Sequence, residues 1–394
     1  METFELTNQQ REYLGLNPIE KYWDKVIFQG DNYRSDSILY FDGDIIKRHI
    51  ISTGDQYSEN QLDEHTKDRL ILLPKTSKGK EKKLSASTLA QRQPTGVYVS
   101  ISSSGLSIAN YSTQTTFYSN RSYDKEHIAK SFSEQVTEFI EQSSDQHLQE
   151  INEFKNSKRK LIKYSSGDYF CFKLDRVHFG FGRLLLDVGK ICKKKLIEKE
   201  HGLNLLMGHA LIVQLFAYKS ISKSIDISFL DKQPTLPSDV MMDNILLYGE
   251  FEIIGHKDLT DEEFEFPISY GKCISQRSTV FFQWGLIHLE ISQKQYFKYV
   301  TGAKDIDQNP YGYYSVGFGP HYGTDDVLTT IENNGKFDFS NTKFNSGKWD
   351  LRNPNNKEIK NELFTEFGLD SDKSYLENCK LKHTILPTEL LKKL

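Results

Sequence analysis

Between Tyr164 and Glu290 the chain carries a series of short strand-like runs, and this series most constrains its fold. Four runs rich in aromatic and branched residues occupy positions 167–174, 178–186, 211–216 and 245–255. Such residues favour half-buried strands. Long helices do not alternate regularly with these runs, so a parallel doubly wound sheet is disfavoured. The pattern predicts a mostly antiparallel module, either a curved sheet or a small barrel.

The first 123 residues also read as predominantly β. Thr7 and Gln10 have the spacing of a helix N-cap and its return partner, which predicts a short opening helix. Beyond it, the runs on either side of Asp42-Gly43 predict a hairpin with a tight turn at that dipeptide.

From residue 124 to about residue 160 the apolar residues instead recur at spacings of three and four. Gly and Pro are absent from this segment, so the spacing predicts a long amphipathic helix, with a candidate break near Ser143-Ser144. Its apolar stripe is expected to pack on a core, and the helix is interpreted as a connector between two β modules.

These patterns together predict an α+β protein in which mostly antiparallel β modules are joined by a long amphipathic helix. We place the N-terminal β-rich domain at residues 1–123 and the connecting helix at 124–160. A second β domain follows at 161–299. An aromatic, Asn- and Gly-rich C-terminal extension occupies 300–394 and is expected to end in a short helix from Pro387.

Composition favours a folded cytoplasmic protein. With 25 Phe, 21 Tyr and 3 Trp the chain can build sizeable cores, and its net charge of −4 requires no polyionic partner. The four cysteines lie far apart, which suggests reduced thiols rather than a disulfide framework. The N-terminus lacks the basic and apolar pattern of a secretory signal, and the longest apolar stretch is too short to span a bilayer.

Recognisable catalytic motifs are absent from the sequence. Gly182 and Gly189-Lys190 are separated by six residues where a phosphate-binding P-loop needs four, and Ile191 replaces the Ser or Thr that would bind magnesium. The histidines are scattered, without the short spacing typical of metal ligands. We therefore expect no catalytic residue, no metal site and no cofactor.

A lysine-rich loop at residues 75–83 is the sharpest charge feature of the first unit. It could contact nucleic acid phosphates, although the run has no interleaved aromatics for base stacking, and a solvated loop between two strands is the simpler interpretation. The candidate nucleic-acid ligands are Lys75, Lys78, Lys80, Lys82 and Lys83.

A second charge feature is a contrast between two neighbouring blocks. Residues 158–200 carry 12 Lys or Arg against five Asp or Glu, and residues 231–267 carry ten acids against two Lys. The acidic block could steer a basic partner protein to this surface. Alternatively, the two blocks neutralise each other across the sheet. The candidate partner-binding residues are Asp258, Asp261, Glu262, Glu263 and Glu265.

Three segments of the second β domain resemble a known family. They are Gly167-Asp168-Tyr169-Phe170, Phe179-Gly180-Phe181-Gly182-Arg183, and the stretch from Tyr248 to Gly255. Together they are similar to immunity protein 26, also labelled as HocA-type phosphotriesterase, over about 130 residues. The Gly-x-Trp that ends the family pattern has no counterpart after Gly255, where His256 follows.

The resemblance implies a cytoplasmic immunity protein of a bacterial polymorphic toxin system. Such a protein binds and neutralises a cognate toxin, often a nuclease, without catalysis of its own. A phosphotriester or related hydrolase is the alternative that the family label implies, and nucleic-acid binding through the Lys75–Lys83 loop is a third.

Overall fold

The computed structural model describes residues 4–120, 130–206, 208–272, 278–299, 324–340, 342 and 350–394. The described chain forms two compact units. Unit 1 comprises Met1–Leu161 with Tyr248–Glu250, and unit 2 comprises Ile162–Leu247 with Phe251–Leu394. The domain boundaries at residues 123, 160 and 299 stay predictions.

Unit 1 is built on one antiparallel sheet of nine strands. The strands are β1 (Asp24–Phe28), β2 (Ser37–Asp42), β3 (Ile45–Ser52), β4 (Gln56–Lys67), β5 (Ile71–Leu72), β6 (Lys82–Lys83), β7 (Val97–Ser102), β8 (Gly105–Asn110) and β9 (Thr115–Ser119). The main path of the sheet runs β1-β2-β3-β4-β7-β8-β9, and β5 and β6 form a small arm on β4. The helices are α1 (Asn8–Tyr13), α2 (Ala86–Leu89), α3 (Phe132–Glu141) and α4 (His147–Asn156).

Two local predictions in unit 1 are confirmed. The Thr7 hydroxyl accepts a hydrogen bond from the Gln10 backbone N–H at 3.2 Å, and the Gln10 side chain accepts one from the Thr7 N–H at 2.9 Å, so both orphan donors at the start of α1 are satisfied. The Asp42-Gly43 turn joins β2 to β3 as an antiparallel hairpin.

The prediction of one long connecting helix is wrong in the described part of its segment, where two ten-residue helices stand instead, separated at the candidate break near Ser143-Ser144. Helix α3 ends beside Ser143, whose hydroxyl donates to the Phe139 carbonyl at 2.8 Å, and α4 begins at His147. A serine that bonds the carbonyl four residues back competes with the helical backbone and favours a break there. Residues 124–129 lie outside the described residues.

The helices of unit 1 bury their apolar stripes on the sheet. Val136 and Phe139 of α3 and Ile151 of α4 join the core that Val99 and Ile108 form on one sheet face. The helical periodicity therefore serves core packing, because these side chains are almost fully buried.

Unit 2 contains two antiparallel sheets, and all of its described strands lie in open sheets rather than a closed barrel. The strands are β10 (Asp168–Lys173), β11 (Phe179–Asp187), β12 (Ala210–Ser220), β13 (Asp239–Met242), β14 (Glu252–His256), β15 (Ile268–Lys272), β16 (Thr279–Trp284) and β17 (Ile287–Ser292). The five-stranded sheet has the order β13-β12-β11-β10-β14, and the three-stranded sheet has the order β15-β16-β17.

Seven helices complete the described part of unit 2. They are α5 (Val188–Lys193), α6 (Ile227–Leu230), α7 (Asn244–Leu247), α8 (Thr324–Glu332), α9 (Lys357–Glu366), α10 (Tyr375–Leu381) and α11 (Pro387–Leu391). Helix α11 confirms the predicted terminal helix. Within the preceding aromatic extension, residues 300–323, 341 and 343–349 lie outside the described residues.

The first three apolar runs form β10, β11 and β12. The prediction that the fourth run forms a single strand is wrong. The first residues of this run fold as α7, where Leu246 is buried, and only the part from Glu252 pairs with β10. A short apolar run without period-2 alternation does not distinguish a helix from a strand.

Alternation along β10–β12 places side chains of the five-stranded sheet in a core on each face, while Leu185, Leu186 and Ile212 join a third core. Phe170 and Leu184 pack with Val327 of α8 on one face. Tyr169, Phe181 and Phe216 occupy the opposite face, together with Leu230 of α6. Because successive strand residues point to opposite faces, each aromatic run supplies both cores.

Candidate functional site

Register brings three polar side chains into one row on the face that carries Tyr169. Tyr169 of β10 lies opposite Arg183 of β11, which lies opposite Gln214 of β12. Residues directly opposite one another in antiparallel strands share a face. We call this side of the sheet, which also carries Phe181 and Phe216, the Tyr169 face.

The Gly167-Asp168-Tyr169-Phe170 motif shapes the entrance to β10. Gly167 has φ +97°, and a Cβ there would lie 2.5 Å from the Lys257 carbonyl oxygen, so a side chain would be strained and would clash. The buried Asp168 carboxylate accepts from the Ser165 N–H at 2.7 Å and lies 2.6 Å from Nδ1 of His256. The motif thus fixes the turn and ties β10 to the end of β14.

Arg183 is the centre of the Tyr169 face. Its guanidinium lies 4.7 Å from the centroid of the Tyr169 ring, within cation–π distance. Nη1 donates to Glu263 at 2.6 Å, and Nη2 donates to the Lys257 carbonyl at 2.9 Å. Arg183 is 6% exposed, and its buried Nε has no hydrogen-bond partner among the described residues.

Lys257 and Asp231 form a second ion pair beside Arg183. The Lys257 ammonium lies 2.6 Å from Asp231 and 3.7 Å from Glu263, and the Tyr169 hydroxyl donates to Asp231. The bond to Asp231 raises the pKa of Lys257. Burial opposes ionisation of Asp231, but the bonds from Lys257 and Tyr169 prevail and lower its pKa.

Glu263 is anchored from two sides. Burial alone would raise its pKa, but the Thr260 backbone N–H, at 2.7 Å, and the Arg183 guanidinium together lower it. The carboxylate therefore stays ionised and holds the short helical turn at residues 261–263 against β11.

The five acids that the sequence grouped together have different surroundings. Asp261 accepts from the Thr388 N–H at 3.0 Å, and Glu265 accepts from Arg352 at 2.8 Å and from the Ser238 N–H at 2.5 Å. Asp258 is solvent-exposed and lies 3.2 Å from Nε2 of His256. Glu262 is exposed, and no hydrogen bond or ion pair from another described residue engages its carboxylate.

The segment from residue 258 to residue 265 therefore contains both acids that are bonded to other parts of unit 2 and acids whose carboxylates face solvent. The Arg183–Glu263 pair joins the basic block to the acidic block, as neutralisation across the sheet requires. Glu262 and Asp258 keep carboxylates that face solvent.

A shallow cleft of about 380 Å³ opens between these groups. Arg183, Phe216, Asp231, Lys257, Glu262 and Glu265 line it, and we call it the Arg183 cleft. The exposed Phe229 of α6 lies two residues before Asp231, where it packs edge-on against Tyr218 at 5.2 Å. An exposed aromatic beside a charged cleft is typical of protein-binding surfaces.

Sequence reasoning missed Asp231, Lys257 and the central role of Arg183. One signal was available, because Arg183 interrupts an otherwise apolar strand run, and a buried cation needs a counter-ion. The identity of that counter-ion could not be read, because Glu263 lies 80 residues further along the chain.

The predicted lysine loop lies in unit 1, away from the residues of the Arg183 cleft in sequence. It connects β5 to β6, and Lys82 and Lys83 are themselves the residues of β6. Lys75 lies 3.0 Å from Glu81, and Lys78 and Lys80 are exposed.

Among the described residues, no three His, Cys, Asp or Glu side chains group closely enough to hold a metal ion. Across the same residues, every helix is too short or too polar to cross a bilayer.

Comparison with known proteins gives one match. No curated protein and no solved structure matches this chain. The matching family model is described as immunity protein 26, which supports the immunity-protein part of the resemblance and leaves the phosphotriesterase part unconfirmed. The match covers residues 165–277, which include strands β10 to β15. Every residue named in the Arg183 cleft lies within this range. This part of the chain is therefore similar to an immunity-protein family.

Proposed function

We propose that this chain is a cytoplasmic immunity protein that binds a cognate toxin and neutralises it by blocking its surface, without catalysis of its own. The observation that carries the proposal is the family match over residues 165–277. A nuclease of a bacterial polymorphic toxin system is the proposed partner.

The proposed interface combines the Arg183 cleft with Phe229. Glu262 and Asp258 supply accessible negative charge, and Phe229 supplies an exposed aromatic anchor. Interfaces of this kind gain affinity from buried aromatic anchors and gain association rate from complementary charge. Asp261, Glu263 and Glu265 are proposed to act mainly by holding the acidic segment in place.

The experiment pairs the full chain with a catalytically inactive form of the toxin encoded beside it. We expect the two proteins to co-purify and expect expression of the chain to rescue growth of cells that make the active toxin. A stable, folded chain that neither captures the inactive toxin nor rescues growth would refute the proposal.

Charge reversal separates the interface from the fold. Glu262→Lys and Asp258→Lys together are expected to slow association and to weaken the complex about tenfold, because both carboxylates face solvent and attract a basic partner. Glu200→Lys is the matched control, since Glu200 is an exposed acid of unit 2 outside the cleft. Binding kinetics by surface plasmon resonance at low and high salt provide the measurement.

Nucleic-acid binding through the lysine loop is a second candidate, favoured by the exposure of Lys75, Lys78, Lys80 and Lys83. Replacing Lys80, Lys82 and Lys83 with Glu is expected to abolish a low-salt DNA or RNA mobility shift. If the unaltered chain gives no shift at low salt, this candidate is rejected.

A further inference from the structure

Unit 1 contains a groove of about 790 Å³ between α1 and α4. Gly15, just beyond the end of α1, has φ +77°, and a Cβ there would lie 2.9 Å from the Ile151 side chain of α4. The missing side chain at Gly15 therefore lets α4 approach the end of α1 closely. The buried Leu16 and Ile151 contribute apolar surface to the lining. We call this cavity the α1–α4 groove.

One wall of the groove is a row of side chains on α4. Leu148, Asn152 and Lys155 all line it, and their spacings of four and three residues place them on the same helix face. Leu148 is 42% exposed. Seven residues of helix separate Leu148 from Lys155, a distance of about 10 Å along the axis. The wall thus has an apolar end and a cationic end.

The cationic end has no counter-ion. Lys155 is half-buried, and no hydrogen bond or ion pair from another described residue engages its ammonium. The ammonium is nevertheless open to the groove, because it is not among the buried polar atoms that lack a partner in the described structure. A partly desolvated charge without a partner is unfavourable, so the site favours a ligand that supplies negative charge.

The neighbouring charges support an anionic ligand. Burial and then the charge of Arg48 lower the pKa of Lys155, and Glu12 opposes them with a smaller effect. Arg48 is fully buried, and its Nη2 donates to the Asn17 carbonyl, beside the groove residue Pro18. At the ammonium, the positive charge of Arg48 therefore outweighs the negative charge of Glu12. An incoming anion meets a net attraction there.

The donors around Lys155 fit a carboxylate. The Asn152 side-chain oxygen accepts from the Asn156 amide at 2.9 Å, which leaves the Asn152 amide nitrogen to donate to a ligand. Together with the ammonium it can serve the two oxygens of one carboxylate. Lys155 also lies in the last turn of α4, whose partial negative charge opposes a doubly charged phosphate more strongly than a carboxylate.

The remaining lining favours a peptide over a simple alkyl acid. Gln9 of α1 lines the groove, and no hydrogen bond from another described residue engages its amide, which can pair with a peptide N–H or C=O. A hydrocarbon chain offers no such partner. In an extended polyproline-II segment, residues three apart lie on the same side at a distance of about 9 Å. This spacing matches that of Lys155 and Leu148.

We propose that the α1–α4 groove binds an extended segment of a partner protein, in which an aspartate or glutamate pairs with Lys155 and an apolar side chain three residues away packs on Leu148. The groove lies outside residues 165–277, which carry the family match. The inference therefore goes beyond the proposed immunity function and does not depend on it.

Short peptides test the groove directly. The probes are acetyl-Leu-Ala-Ala-Glu-amide and acetyl-Glu-Ala-Ala-Leu-amide, one for each chain direction, and their controls carry glutamine, a neutral isostere, in place of glutamate. In NMR titrations of the full chain we expect saturable shifts of the Gly15 and Asn152 backbone amides with at least one acidic probe. The matching glutamine peptide and hexanoate, an alkyl carboxylate, should each bind at least about tenfold more weakly.

Three variants of the chain accompany the titration. Lys155→Met keeps the aliphatic stem without the charge and should weaken the acidic probe about tenfold. Glu12→Gln should strengthen binding about twofold, because it removes the opposing charge, and this gain cannot arise from a misfolded protein. Lys158→Met is the matched control, since Lys158 is an exposed lysine of unit 1 outside the groove, and it should leave binding unchanged.

Four results would each overturn the inference. They are no saturable binding of either acidic peptide, equal binding of the glutamine peptide, equal binding of hexanoate, and unchanged binding by Lys155→Met. The titration contains no toxin, so its outcome and the outcome of the toxin co-purification are independent of each other.

Discussion

Phe170 lies over Gly182 of the neighbouring strand, so the glycine in this strand is required by packing. A Cβ at Gly182 would lie 2.4 Å from the Phe170 ring, and Phe170 is fully buried. We expect Gly182→Ala to lower the free energy of unfolding of unit 2 by about 1–3 kcal/mol, as overpacked cores do. Urea denaturation measures the change.

The control for this substitution is Gly54→Ala, because a Cβ at Gly54 meets no atom within 4 Å. Gly54 lies in unit 1, and the substitution should change the free energy of unfolding of that unit by less than about 0.5 kcal/mol. The packing explanation also requires that Phe170→Leu and Gly182→Ala are less than additive when combined. Full additivity would contradict it.

His256 provides a prediction about pH. Its bond to Asp168, reinforced by Asp258, raises its pKa above the usual 6.5. A folded-state pKa above the unfolded one gives stability that is fully present below pH 6.5 and is lost as pH rises through the folded-state pKa. The contribution of His256 to the urea midpoint of the unaltered protein should therefore decline as the pH rises above 6.5 and through the folded-state pKa.

His256→Gln should lack this component, because glutamine carries no titrating group. The difference between the two urea midpoints, measured from about pH 5.5 to about pH 8.5, isolates it from the other titrating groups. Asp258→Asn should lower the pKa of His256 in an NMR titration. A parallel pH dependence in both proteins would show that His256 does not couple to folding.

Strand β4 shows, at the scale of an element, how burial changes the contribution of a carboxylate to the free energy of unfolding. Glu59 is fully buried and accepts from Arg11 at 2.8 Å and from the Tyr57 hydroxyl at 2.5 Å, and it lies 3.2 Å from Arg48. Glu59→Gln should destabilise unit 1 by about 3–5 kcal/mol, because it leaves buried guanidinium charge without its counter-ion.

Asp63 of the same strand is the matched control. It pairs with Lys47 at 2.6 Å but is more than half exposed. Asp63→Asn should cost less than about 1 kcal/mol, since exposed ion pairs contribute little. Similar losses for the two variants in chemical denaturation would contradict the role assigned to burial.

Elements whose signals are local were predictable from the sequence. The Thr7–Gln10 cap and the Asp42-Gly43 hairpin depend on residues within a few positions of one another, and both are present. Helix α7 was missed because the run at 245–247 has no distinguishing period. The contacts of Arg183 depend on strand register and on Glu263, 80 residues away, so local patterns could not supply them.

At the scale of the whole molecule, the two units have separate cores, and the described core clusters of unit 1 share no residue with those of unit 2. We therefore expect unfolding that is not a single two-state transition. Trp23 belongs to unit 1 and Trp284 belongs to unit 2, so each can report on one unit.

The measurement uses two variants that retain Trp23 or Trp284 as the single tryptophan, with phenylalanine at the other tryptophan positions. Adding Glu59→Gln should move the urea midpoint that Trp23 reports and leave the Trp284 midpoint unchanged. Equal shifts of both midpoints would show that the chain unfolds as one cooperative body.

The acids around Arg183 have different roles, and these roles limit which positions of the surface can change in sequence during evolution. Glu263 and Glu265 hold the segment through Arg183 and Arg352, so replacing them alters the fold together with recognition. Glu262 and Asp258 do not hold the segment through a buried arginine, because both carboxylates face solvent and Asp258 contacts the exposed His256. Among descendants of this chain, we expect adaptation to new toxins to proceed through positions 262 and 258, while the neighbouring acids stay unchanged as scaffold.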